Sequence, residues 1–147
     1  MKDSLKALRD SYMDLLSDQI TYNGSIIPVY DQEADPTGND FYIVLSTATD
    51  VPIENRGRFV NETTMLIDVV TRVNYTLTKQ TEVVDIITGK IFQLVIPSVG
   101  QSGLTDTADF QITNVRKESS EHLPILDSGT KKIVRRVTRF SQTLIQK

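Results

Sequence analysis

Leu5, Leu8, Tyr12, Leu15 and Leu16 recur at steps of three and four residues, with Lys6, Arg9, Asp10 and Asp14 between them. That spacing lays an apolar stripe along one side of an amphipathic helix. Asp3 or Ser4 suits the N-cap, where a side-chain oxygen accepts from the unpaired amides of the first turn. The helix is expected to stop before Asn23-Gly24, a turn pair because both residues tolerate positive φ. Ser25 to Tyr30 reads as a short extended piece. Pro28 lacks a ladder donor, so this piece belongs at a sheet edge or is irregular. Asp31 to Asp40, with Pro36, Gly38 and Asn39, is a loop. Phe41 to Thr47 is a strand, and Asp50 to Asn61, with Pro52, Gly57 and two arginines, is a second polar loop.

The longest alternation runs from Glu62 to Thr76. Met65, Ile67, Val69, Thr71, Val73 and Tyr75 fall on one side, and Asp68, Arg72 and Asn74 punctuate the other. Period two over that length describes a central strand buried on one face. Lys79 to Ile96 fits two readings. Val83, Val84, Ile87, Ile91, Leu94 and Val95 form a helical stripe, and Glu82 and Asp85 suit the positive end of a helix dipole. Against it, Gly89 costs roughly 1 kcal/mol relative to Ala inside a helix, and a hairpin turning at Thr88-Gly89 is the rival. Eighteen residues without a cluster of turn formers favour the helix. Pro97 to Asp106 is a loop, Phe110 to Lys117 a strand, and a polar stretch follows through Gly129. Lys131 to Ile145 is a long final strand, supported by its β-branched residues. Helix, three strands, helix, two strands is an α+β order. It predicts one domain over 1–147, with both helices packed on one face of a mostly antiparallel sheet.

A chain of 147 residues buries roughly 68–70% of its unfolded surface and needs no staple to fold. The absence of cysteine excludes disulfides and thiolate metal sites and fits a reducing compartment. The first residues lack the apolar core of a signal peptide, and no run approaches the ~18 apolar residues of a membrane span. Charge is uneven. Residues 1–99 carry 8 basic and 14 acidic side chains, net −6; residues 100–147 carry 8 and 5, net +3. Lys131, Lys132, Arg135, Arg136, Arg139 and Lys147 supply most of that excess. One positive end and a negative remainder would suit head-to-tail contacts between identical subunits.

Candidates for chemistry are few. Asp31, Glu33, Asp35 and Asp40 resemble a calcium loop, but Pro36 takes the position of its sharp-turning Gly and Tyr42 that of its closing Glu. His122 is the single imidazole and sits among Ser119, Ser120 and Glu121 in a polar stretch, which reads as an exposed loop residue without a nucleophile to serve. Gly100-Gln-Ser-Gly103 has no phosphate-loop spacing. Two glycosylation patterns, at Asn61 and Asn74, fall at strand ends. The missing nucleophile–base pairs argue against an enzyme, and neither a metal nor a cofactor is expected. The basic cluster from Lys131 to Arg139 carries more weight. Arg135 and Arg139 share one strand face while Arg136 points to the other, with Phe140 the lone aromatic among them. That split favours a charged strand surface or an acidic neighbour over a dedicated nucleic-acid site, which needs its cations on one face.

In order, the chain offers the helix Leu5–Leu16, then Ile26-Ile27-Pro28-Val29-Tyr30-Asp31, then the aromatic-led strand Phe41-Tyr42-Ile43-Val44-Leu45. The Thr64–Thr76 strand, the Thr81–Val95 helix and two closing strands follow. This succession resembles the tail-terminator, or tail-completion, proteins of tailed bacteriophages over nearly the whole chain. The family is defined by element order, so no functional residue is carried across. The resemblance implies a virion protein, assembled in the host cytoplasm. It would form a homo-oligomeric ring of six or twelve copies in the tail or neck, where it caps the tail tube and docks to the head connector or portal. DNA would pass non-specifically through the lumen, and no membrane is involved. Loops Pro97–Asp106 and Glu118–Thr130 depart from the family and admit a neck-adaptor ring of different symmetry. Arg56 and Arg58 are candidates for inter-subunit ion pairs, alongside Lys131, Lys132, Arg135, Arg136 and Arg139 as partner contacts. The alternative is a small nucleic-acid-binding module using the Lys131–Arg139 strand.

Overall fold

Helix α1 spans Ser4–Leu16 and begins where Asp3 Oδ1 accepts the amides of Leu5 (3.0 Å) and Lys6 (3.4 Å). The computed structural model describes residues 1–34, 38–53, 57–74, 76 and 79–147. The helix ends at Leu16, and Asp18 then turns the chain with a φ of 61°. Asn23-Gly24 closes a separate small hairpin between β1 (Thr21–Tyr22) and β2 (Ser25–Ile26). Its φ values of 49° and 79° are those of the mirror-image turn that matches strand twist. Next, β3 (Val29–Asp31) runs parallel to β4 (Phe41–Ile53) at the sheet edge. Pro28 sits just before it and contributes only its carbonyl, which accepts the Ile43 amide at 2.9 Å.

β4 forms a long hairpin with β5 (Val60–Asn74); Tyr75, expected on the buried face of that strand, lies outside the described residues. β4 is thus six residues longer than its alternation indicates, and the expected loop Asp50–Asn61 is strand at both ends, over Asp50–Ile53 and Val60–Asn61. A bulge between Thr47 and Thr49 is the reason. Phe41, Ile43 and Leu45 face the helices, but the inserted residue reverses the parity, so Val51 and Ile53 emerge on the opposite side.

Lys79–Ile96 holds a helix, α2 (Glu82–Val95), and no hairpin. Gly89 is tolerated because it lies on the outward side, with nothing within 4 Å of where a Cβ would stand. β6 (Phe110–His122) also outruns its expected end at Lys117, through two register shifts, Thr113/Arg116 and Lys117/Ser119. β7 (Leu126–Asp127) and β8 (Lys131–Gln146) complete the sheet. The order is β3-β4-β5-β8-β6, with β7 on β8 beyond the end of β6, so the last strand in sequence lies in the sheet interior. Every pairing except β3–β4 is antiparallel. The architecture is α+β.

Both helices cover one face. Leu8, Tyr12 and Leu16 from α1, and Val84, Ile87 and Ile91 from α2, are buried against Ile43, Leu45, Met65, Ile67, Phe140 and Leu144. Phe140 on β8 joins the layers, its ring centroid 6.4 Å from Tyr12 and 6.0 Å from Phe92. The loop after α2 folds back onto that helix. Gly103 donates its amide to the Val95 carbonyl at 2.9 Å, and a Cβ there would stand 1.9 Å from the Leu94 carbonyl oxygen. Only glycine fits so close an approach. Among the described residues no helix is long and apolar enough to cross a membrane.

Candidate functional site

With both helices on one side, no element among the described residues covers the other face of the sheet. β5 presents Leu66, Asp68 and Val70 there, and β8 presents Arg135, Val137 and Arg139. Asp68 and Arg135 meet diagonally across the strands, with Nη2 and Nε of the guanidinium on the two carboxylate oxygens. The hydrogen bond to Asp68 holds the Arg135 pKa above its ordinary value. Around the β6 edge lies a depression of about 920 Å³, lined by Arg116, Arg139, Glu62, Glu118 and the hydroxyls of Thr64 and Ser141, and by the loop after α2 through Gly100, Gln101 and Leu104. Arg116 Nε donates to Ser141 Oγ at 2.9 Å. Two guanidiniums facing two carboxylates make a polar surface of mixed sign, not a cradle for a single anion.

The sequence-predicted contact residues separate into distinct environments. Arg56 lies outside the described residues, and Arg58 is exposed just before β5. Lys131 pairs with Asp40, and Lys132 stands opposite Val73 and Asp127 in register. Arg135 takes Asp68 on the uncovered face, whereas Arg136 takes Asp85 of α2, Nη1 to Oδ1 at 3.0 Å, on the helix side. Arg139 makes neither an ion pair nor a side-chain hydrogen bond among the described residues. Arg135 and Arg139 do share a face opposite Arg136. Part of the expected positive end is, however, neutralised within the chain. β8 runs through the sheet interior, and Lys131, Arg135 and Arg136 each hold a carboxylate from the first hundred residues. Three of the eight basic side chains of residues 100–147 are thereby taken into ion pairs with the first hundred residues.

His122 is likewise no loop residue. It ends β6, and its Nε2 lies 2.7 Å from Asp85 Oδ1, the oxygen that also receives Arg136. Arg136 Nε donates to Ser120 Oγ at 2.8 Å, and Ser120 Oγ is 2.9 Å from Thr138 Oγ1. The Arg136 guanidinium and the Lys117 ammonium stand 5.5 and 4.9 Å from the Phe92 ring centroid. These contacts fasten α2 to β6 and β8 through charge, hydroxyls and a cation-bearing aromatic face. Sequence reasoning missed the latch because Asp85 and His122 are 37 residues apart and meet only when β6 extends past Lys117.

Several buried polar groups elsewhere are also tied into packing, while Arg72 Nε and Thr88 Oγ1 are buried without a hydrogen-bond partner among the described residues. Tyr12 Oη donates to Gln142 Oε1 at 2.8 Å, while Gln142 Nε2 donates to Thr63 O and Oγ1. Burial pushes the Tyr12 hydroxyl above its ordinary pKa, so it serves as a fixed donor. Asn61, one of the two glycosylation patterns, is buried and donates to Asp50, which also accepts from Ser4 Oγ at 2.7 Å. Among the described residues no three acidic or imidazole side chains converge as a metal site would require. No protein-family model and no curated protein matches the chain.

Proposed function

We propose that this chain is a structural protein of a tailed bacteriophage particle, forming a ring at the head–tail junction as a tail terminator or neck subunit. The observation that carries the reading is the order and one-sided packing of the elements. A capped helix, an extended edge piece, a long hairpin, a second helix and two antiparallel closing strands follow one another as in the tail-terminator resemblance. The chemistry of the chain supports it in a second way. Its buried or clustered polar groups, Tyr12–Gln142–Thr63 and Asp85–His122–Arg136, serve to lock layers together.

A closed ring of identical copies needs two different surfaces on each copy. The sheet offers them, since its β3–β4 edge and its β6–β7 edge differ in sequence and geometry. The tail tube on one side and a head connector or portal on the other are the partners of such a ring, with DNA passing through its lumen. The nucleic-acid alternative draws less support, because three of its cations neutralise carboxylates of their own chain. Native mass across a concentration series at moderate salt tests the reading. A discrete closed oligomer of six or twelve copies is expected, with DNA binding weak and unspecific. A monomer at every concentration, with DNA affinity falling steeply with salt, would overturn it in favour of the nucleic-acid module.

A further inference from the structure

Asn23 and Gly24 make up the whole turn of the β1–β2 hairpin, and both are exposed. The ladder joins Tyr22 to Ser25 and Thr21 to Ile26 and so leaves the Gly24 amide outside it. That N–H donates to no acceptor among the described residues, and the Asn23 side-chain amide is likewise without a hydrogen bond there. With strands of two residues each, the hairpin forms a small sheet apart from the main one. A Cβ at Gly24 would meet nothing within 4 Å, which leaves room for a ring to close at its nitrogen. We propose that Asn23 is a site of spontaneous covalent modification, deamidating through a succinimide to aspartate and isoaspartate.

The reaction needs only water. The Gly24 nitrogen attacks Asn23 Cγ; the N–Cγ bond forms, the Cγ–Nδ2 bond breaks, and the Gly24 amide proton leaves with Nδ2 as ammonia. Water then opens the five-membered imide at either carbonyl. Opening at Cγ gives aspartate, and opening at the main-chain carbon gives isoaspartate, whose backbone runs through Cβ. Nothing is oxidised or reduced. Sequence selects the residue, because Asn23 alone among the asparagines precedes glycine. A side chain on the following residue crowds the attacking nitrogen, and Glu62 and Val115 follow Asn61 and Asn114. Asn61 is also buried and held by Asp50. The fold then separates the two products. Aspartate accepts the φ of 49° that Asn23 adopts and keeps the two-residue turn. Its carboxylate borders the hollow of about 420 Å³ that Asn23 shares with Asp40, Arg72 and Lys131. Isoaspartate instead inserts one carbon into the main chain between Tyr22 and Gly24, and the pairing of Tyr22 with Ser25 is lost. What that pairing positions is the contact of the hairpin with the body of the protein. The Tyr22 ring stands edge-on to Phe41 with centroids 5.6 Å apart, and the Thr21 carbonyl accepts from Lys90 Nζ of α2.

Incubating the full folded chain in mildly alkaline buffer, with a second sample held in urea, tests this by peptide mapping at intervals. In the folded chain the peptide carrying Asn23 is expected to exchange NH for O in mass before any other asparagine peptide. It should yield two products, of which protein isoaspartyl methyltransferase labels one. The purified isoaspartate form is expected to melt below the wild type and to lose the Tyr22–Phe41 contact in NMR spectra. The variant Asn23→Asp is expected to melt with the wild type and keep that contact. An Asn23 peptide that stays unmodified in the folded chain while the urea sample converts would overturn the proposal. Faster conversion at Asn61 or Asn114 would overturn it as well. An isoaspartate form that melts with the wild type would overturn the loss of the hairpin contact.

Discussion

Replacing Tyr12 by Phe removes one oxygen from the most enclosed polar contact of the fold. Tyr12 is fully buried, and its hydroxyl is the donor to Gln142 Oε1 at 2.8 Å. The ring itself still packs near Phe140, so the transfer of apolar surface hardly changes. What changes is that Gln142 Oε1 stays buried without its donor, because Gln142 Nε2 remains held by Thr63 O (3.0 Å) and Oγ1 (2.9 Å). A buried polar atom left unsatisfied costs about 1–3 kcal/mol. At roughly 2–4 °C per kcal/mol for a chain of this size, the melting temperature should fall by several degrees. Gln142→Leu orphans the hydroxyl instead and should cost a similar amount. The double variant removes both partners, so its cost should fall short of the sum by about 1 kcal/mol or more. The pH dependence adds a second signature. Burial raises the folded Tyr12 pKa above 10.0, so only the unfolded chain loses this proton just above that pH. The contribution is complete below pH 10 and declines as pH rises, by about 1.4 kcal/mol per unit, until the folded hydroxyl ionises. Urea unfolding at pH 7 and above pH 10 measures both effects, and the alkaline decline should be smaller in Tyr12→Phe. A neutral Tyr12→Phe variant, or strictly additive single costs, would show that the hydroxyl and Gln142 do not stabilise the fold as a pair.

Gly89→Ala should stabilise the protein by about 1 kcal/mol, since the position lies inside α2 with open space where the methyl would go; denaturant midpoints check it. Gly103→Ala should do the reverse, costing upwards of about 2 kcal/mol, because its Cβ would stand 1.9 Å from the Leu94 carbonyl and the loop would leave the end of α2. Limited proteolysis should then cut within 97–106 first. Asp85→Ala removes the acceptor shared by His122 and Arg136 and a favourable charge in the first turn of α2, for a loss of about 1 kcal/mol. Because Asp85 is partly exposed, that loss should shrink at high salt, a trend thermal melts at two ionic strengths would reveal.

Both helices and the central strand were legible because their periods are undisturbed. Leu8, Tyr12 and Leu16 repeat at helical spacing, and Met65, Ile67 and Val69 at strand spacing, each set facing one core. Legibility failed where the backbone changes phase. The bulge at Thr47/Thr49 moves Val51 and Ile53 to the other face, so the second half of β4 loses its alternation and looks like a polar loop. The shifts in β6 hide His122 in the same way. Asn23-Gly24 was correctly a turn, but between two strands too short to leave a pattern. Long-range pairings escaped for a different reason. Net charge summed over sequence segments carries no record that β8 returns to the middle of the sheet, where Arg135 meets Asp68 and Arg136 meets Asp85.

The role proposed for this chain places it at the junction between head and tail of a phage particle. Gold labelling of the chain in phage particles purified from a culture that produces it, read by electron microscopy, tests that placement. Label is expected only at the joint between capsid and tail, with six or twelve copies per particle by quantitative mass spectrometry. Label spread along the tail shaft or over the capsid, or a chain absent from purified particles, would contradict it.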